Sequence, residues 1–191
     1  MIRVLVLDDH PALQAGLQTV LRAEPGLVPV GTAANANELH PLLNRTRPDV
    51  VLVDYHVPPD DGLVLCRRIK ATLPPPKVVI YSAYADTSLT IASIVAGADG
   101  LVHKGAPADE LFDAIRRVVR GERVLPPVSA ELMTEAAGRL DSEEMPIVGM
   151  LIDGTPQREI AEVLRLENGE LAWRIDRIIA RLKLEVPSAS L

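Results

Sequence analysis

The sequence predicts an α/β fold: a five-stranded parallel doubly wound domain followed by a small all-α domain. Two observations carry this. Five short β-branched runs recur through the first 120 residues, and strand signals stop after Leu140 while helical periodicity continues. The runs occupy residues 2–7, 28–32, 50–53, 78–81 and 101–103, starting 26, 22, 28 and 23 residues apart. Each interval fits one strand, one helix and two short loops. The runs are apolar on both faces, as expected of parallel strands covered by helices on both sides.

Between the runs lie helical patterns at 12–23, 37–45, 63–72, 89–96 and 108–120. The last is amphipathic: Leu111, Ile115, Val118 and Val119 form one stripe, and Arg116, Arg117 and Arg120 face away. Gly121 closes it, and Pro126 and Pro127 follow as a break. Residues 129–139 read as a connecting helix capped by Ser129. Three further helical stretches follow at 143–152, 157–164 and 168–184, broken at Asp153-Gly154 and around Leu166. Tight turns between short helices are the mark of a helix-turn-helix. The division expected is a domain over 1–121, a linker over 122–139 and a helical domain over 140–191.

Composition bounds the function. The chain has 191 residues, 48% hydrophobic and 24% charged, which fits a globular protein and argues against disorder. One Phe, three Tyr and one Trp leave the cores to Val, Leu, Ile and Ala. No run approaches the roughly 20 apolar residues of a membrane span, and the first residues enter a strand pattern without secretory-signal features. The single cysteine, Cys66, excludes an internal disulfide and reads as a small core residue. A cytoplasmic location is the default.

Ligands of open parallel sheets bind at the carboxyl ends of the strands. Asp8 and Asp9 end the first strand and Asp54 the third, while Ser82 ends the fourth and Lys104 the fifth. Three carboxylates converging on one spot repel unless a cation neutralises them, and hard oxygen ligands suit Mg²⁺. A hydroxyl and an ammonium reach the same crevice.

These residues resemble the receiver domain of two-component response regulators. The resemblance spans residues 2–121 and includes Asp8-Asp9, Asp54, Val57-Pro58, Asp61-Gly62, Ser82, Gly97-Ala98-Asp99-Gly100 and Lys104. It implies a flavodoxin-like fold and a phosphoryl group taken up by Asp54 from a sensor histidine kinase or a small phosphodonor. It further implies Mg²⁺ held by Asp8, Asp9, Asp54 and the His56 carbonyl, with Ser82 and Lys104 contacting the phosphate. The chain is then a regulator and not an enzyme acting on outside substrates. His10 shapes the turn after the acidic pair, and His56 and His103 read as bystanders on exposed loops. One departure bears on switching: the family carries Tyr or Phe three residues before the lysine, where this chain has Leu101. Tyr84 is a candidate to take over part of that role.

Residues 140–184 resemble the LuxR-type helix-turn-helix of the NarL/FixJ subfamily, through Leu140, Gly154, Glu159-Ile160-Ala161, Leu164, Gly169, Ile175, Ile178 and Leu182. The resemblance makes 168–184 the helix that enters the major groove of double-stranded DNA. Arg158, Ala172, Trp173, Arg174, Arg177 and Arg181 are the candidate contacts, and the active form is a homodimer. The electrostatics oppose this reading. From Arg139 onward there are seven basic and ten acidic residues, a balance of −3, whereas phosphate contacts call for a basic footprint. Glu170 and Ala172 stand where the family has Thr and Lys, and Pro187–Leu191 is too short for the family's fourth helix. Two alternatives therefore stand beside a phosphorylation-controlled transcription regulator. One is a phosphorylation-controlled module whose helical domain binds a protein through an exposed Trp173. The other is a regulator independent of phosphorylation.

Overall fold

The computed structural model describes residues 1–85, 87–167 and 169–183. Its elements run β1 (Ile2–Leu7), α1 (Pro11–Ala23), β2 (Leu27–Ala33), α2 (Ala36–Thr46), β3 (Val50–Val53), β4 (His56–Val57), β5 (Asp60–Asp61), α3 (Gly62–Lys70), β6 (Lys77–Ser82), α4 (Thr87–Ala96), β7 (Gly100–His103) and α5 (Ala108–Val119). Then come α6 (Ala130–Arg139), α7 (Met145–Ile152), α8 (Gln157–Leu164) and α9 (Glu170–Leu182). Strands β2-β1-β3-β6-β7 form one parallel sheet, and β4 and β5 make a small antiparallel hairpin of their own. The five strands are those the β-branched runs predict. The order reverses at β1, so β1 and β3 open a crevice at their carboxyl ends.

Local chemistry sets the helix ends. Pro11 opens α1, where its missing N–H costs nothing. The Asn35 side chain accepts the Glu38 amide at 3.1 Å, and Glu38 reaches back to the Ala34 amide at 2.8 Å, a reciprocal cap for α2. Asp61 caps α3 through the Val64 amide, and Ser129 caps α6 through that of Leu132, as its sequence position predicts. The pattern expected to run to residue 72 ends at Lys70, ahead of Pro74-Pro75-Pro76, which cannot continue a helix. The last predicted helix is observed over Glu170–Leu182; its expected ends at 168 and 184, and the Pro187–Leu191 tail, lie outside the described residues.

Alternation along the strands separates two apolar layers. Val4, Val6, Val50, Leu52, Val79 and Val102 pack under α1 and α5. Leu5, Leu7, Val51, Val53, Val78, Ile80 and Leu101 face α2, α3 and α4. This second layer does not stop at the sheet. Helix α4 lies against α9, α7 and α6, and one apolar cluster runs from Ile91 and Ile94 through Ala136 and Leu140 to Ile147, Ile175, Ile178 and Leu182. The α4 sequence TSLTIASIVA holds no charge, and its residues 89–96 are all buried, as expected of a helix covered on more than one side. Polar links edge the contact: Arg67 pairs with Asp176 at 3.1 Å and reaches the Ala172 carbonyl, and Lys183 pairs with Asp61.

Gly62 fixes how α3 leaves the crevice. Its amide donates to the Tyr55 carbonyl at 2.8 Å, and a Cβ there would collide with the Asp54 carbonyl oxygen and lie 2.8 Å from the Tyr55 Cα. Backbone cannot yield as a flexible side chain can. Gly62→Ala is therefore expected to lower stability by about 3 kcal/mol, the upper range of overpacking costs. A urea midpoint equal to that of the wild type would contradict it.

Candidate functional site

Asp8 follows β1, Asp54 follows β3, Ser82 ends β6 and Lys104 follows β7. Parallel strands paired side by side deliver all four to the same end of the sheet. Asp8 and Asp54 are 2% and 5% exposed. The Lys104 ammonium lies 2.7 Å from a carboxylate oxygen of each. The ammonium thus sits between two buried carboxylates, a charge-assisted arrangement stronger than neutral hydrogen bonds.

Burial pushes the Asp54 carboxyl above its ordinary range, and the neighbouring Asp8 charge adds to this while Lys104 and the His56 amide oppose it. For Lys104, burial works to lower the value, but hydrogen bonds from Asp54 and Asp8 outweigh it and hold the amine above its usual range. The lysine therefore stays an ammonium at neutral pH.

Asp8, Asp9, His10 and Asp54 each bring a ligand atom within 4.8 Å of the others. One Asp9 oxygen is buried and accepts no well-aligned hydrogen bond among the described residues, although the His10 ring nitrogen is 2.8 Å away. An acidic cluster with a buried oxygen lacking a donor fits a hard divalent cation such as Mg²⁺. His10 also fixes the turn, its amide donating to Asp8 at 2.8 Å. Sequence reasoning gave it that backbone role and missed its ring, whose Nδ1 lies 2.8 Å from Asp9 and 3.2 Å from Asp8.

Ser82 is buried, and its hydroxyl oxygen accepts the Tyr84 amide at 3.1 Å. The Tyr84 side chain is exposed, while Leu101 is buried in the layer facing α4. His56 and His103 are exposed, and His103 accepts the Gly105 amide at 2.9 Å. Cys66 is fully buried, and burial pushes its thiol up to about 12, so it packs as an inert small side chain.

The candidate DNA-facing residues fall into two groups. Arg174, Arg177 and Arg181 share a face of α9 that meets acidic residues at the start of α7. Arg174 pairs with Glu170 at 2.8 Å and Glu143 at 3.3 Å. Arg177 and Arg181 both grip Asp141 and Glu144, at 2.6 to 3.1 Å, and Glu144 is 0% exposed. These cations hold α9 to the segment that leads into α7. Arg158 pairs with Glu162 within α8. Ala172 is exposed, and its carbonyl accepts from Arg67 of α3. Trp173 is 57% exposed, with the Arg177 guanidinium 4.8 Å from its ring centre. A core position for Trp173 is thereby ruled out; it stands off the buried Leu171, Ile175, Ile178 and Leu182 stripe.

Among the described residues no helix is long and apolar enough to cross a membrane. Comparison with known proteins agrees with the geometry. The family described as "Response regulator receiver domain" matches residues 4–116. The DNA-binding transcriptional activator DevR/DosR of Mycobacterium tuberculosis is 29% identical, over 97% of this chain and 90% of its own. The transcriptional regulatory protein LiaR of Bacillus subtilis is 30% identical, over 95% and 91%. A crystal structure of a LuxR-family two-component response regulator from Aurantimonas superposes with a TM-score of 0.63 at 29% identity, covering 71% of this chain and 97% of that one. Sheet order, crevice and similarity extending beyond the sheet agree, and the chain belongs to the response regulators, in their LuxR-type subfamily.

Proposed function

We propose that this chain is phosphorylated on Asp54 and regulates transcription by binding double-stranded DNA. The observation that carries the reading is the Lys104 ammonium held at 2.7 Å from both Asp54 and Asp8 in a buried crevice. Asp54 is the nucleophile: a carboxylate oxygen attacks phosphorus in line, and the bond to the donor's histidine nitrogen or acyl oxygen breaks. Lys104 then pairs with the transferred group, relieving the negative charge brought into the crevice. Mg²⁺ would be held by Asp8, Asp9, Asp54 and the His56 carbonyl, and would supply the positive charge that neutralises the phosphoryl oxygens. The Ser82 hydroxyl leaves the Tyr84 amide for the new phosphate, and this changes the loop leading to α4.

The output is read from how α9 is held. Its Ala172 and Asp176 turn toward Arg67, and its apolar face shares the cluster with α4. DNA binding through α9 therefore requires the helical part to leave α4, and a homodimer on DNA is the active form. A second reading, docking of a protein partner, is favoured by exposed Trp173 and by arginines already paired with carboxylates. A gel-shift titration over the regulator's own upstream region, with and without acetyl phosphate, separates the two. Transcription control requires a salt-sensitive complex at micromolar protein that tightens on phosphorylation; no shift in either state decides for the protein partner.

A further inference from the structure

Lys104 is the long arm of the site, and where its ammonium lies depends on where its backbone is held. It follows β7 at the start of a turn, beyond the last rung paired with β6. Two consecutive β6 residues grip it. The Ser82 carbonyl accepts the Lys104 amide at 2.9 Å, and the Tyr81 hydroxyl donates to the Lys104 carbonyl at 3.2 Å. One grip is backbone; the other is a single side-chain oxygen.

Tyr81 is well placed to hold still. It is 8% exposed, stands opposite Val102 on the neighbouring strand, and its ring packs in the layer with Val102, Leu111 and Phe112. A ring fixed in that layer points its hydroxyl at the strand exit at little entropic cost. Leu101 brings no ring to β7, so the aromatic side chain beside the lysine comes instead from the adjacent strand, on the opposite face of the sheet from Leu101. The Tyr81 hydroxyl is also pushed above its usual range, by burial first, so it remains a donor at neutral pH.

We propose that Tyr81 is a positioning residue for phosphoryl transfer, its hydroxyl fixing the Lys104 backbone so that the ammonium lies between Asp8 and Asp54. This rests on the reading of Asp54 as phosphoacceptor. Tyr81 touches neither phosphate nor metal; it acts through the lysine.

Tyr81→Phe keeps the packed ring and removes only the hydroxyl. With acetyl phosphate and Mg²⁺, followed by intact mass, its maximal phosphorylation rate falls about 5-fold, within the roughly 100-fold that a 1 Å misplacement can cost. The half-saturating donor concentration stays within about 2-fold, since donor binding is not the target. In a Lys104→Gln background the same change adds less than about 1.5-fold, because the group being positioned is gone. Equal slowing in both backgrounds, or wild-type rates in Tyr81→Phe, would overturn the proposal. A second readout does not depend on turnover: the Lys104 ammonium resonance in ¹⁵N-edited NMR, sharp in the wild type, broadens in Tyr81→Phe. If the wild type takes no phosphoryl group, the Asp54 reading fails; an unchanged Lys104 resonance then also overturns the role given to Tyr81.

Discussion

Asp54→Asn is expected to take up no phosphoryl group from acetyl phosphate under conditions that label the wild type, with labelling read by intact mass. The amide keeps the shape and burial of the side chain but carries no anionic oxygen to attack phosphorus. Stability should move the other way. Burial holds the Asp54 carboxyl above its ordinary range despite Lys104, so the folded state binds its proton more tightly than the unfolded chain does. Such a group costs stability once pH exceeds its unfolded value, and a neutral isostere removes that cost. The thermal midpoint of Asp54→Asn at neutral pH is expected to equal or exceed that of the wild type. At alkaline pH the sign reverses. Lys104 is raised by Asp54 and Asp8 together, so it supports the fold until pH passes its folded-state value. With Asp8 alone that support ends at lower pH. A labelled Asp54→Asn protein would move the acceptor elsewhere, and a lowered neutral-pH midpoint would contradict the energetic account.

Ile91→Asp is expected to separate the helical part from the sheet domain. Ile91 is 3% exposed on α4 and shares the lining of a small void with Leu132, Ala136 and Leu182, with Glu135 and Arg139 at its rim. Arg139 on its rim is already paired with Glu135 at 3.0 Å, so a carboxylate buried at Ile91 without a cation of its own costs several kcal/mol, roughly 2–5. The layer under α1 and α5 does not include Ile91, so the sheet keeps half of its core. The chain can escape the cost by opening. Small-angle scattering should then report a larger radius of gyration, and α9 amides should exchange faster than those of β1 and β3. Under the transcription reading, the open variant binds DNA without a phosphodonor. Unchanged scattering together with unchanged exchange would mean that the α4 contact does not hold the two parts together.

How much of this was legible in the sequence depends on how local the signal is. The strands are legible because parallel strands buried on both faces must be apolar runs, and the crevice because polar residues close those runs at one end. The β4–β5 hairpin is not legible: two residues per strand carry no periodicity. The docking of α9 was half visible. A charge-free α4 announces a second covering layer, but periodicity cannot name what covers it. The pairing of Arg174 with Glu170 follows from i, i+4 spacing, whereas Asp141 and Glu144 meet Arg177 and Arg181 across more than thirty residues. Tyr81 was passed over because a tyrosine in a strand is ordinary, and only the neighbouring strand's exit gives its hydroxyl a role.

The buried Glu144 has a further consequence. Arg177 and Arg181 are the cations a DNA-reading face would spend on phosphates, yet here they neutralise a carboxylate with no access to water. Replacing either one leaves that buried charge with a single arginine, and replacing both strands it, which costs far more than a lost surface contact. Substitutions on this face are therefore filtered first by folding and only afterwards by what the helix recognises. New specificity has its free ground at Ala172, Trp173 and Ala180, exposed side chains on α9 that take part in no ion pair among the described residues.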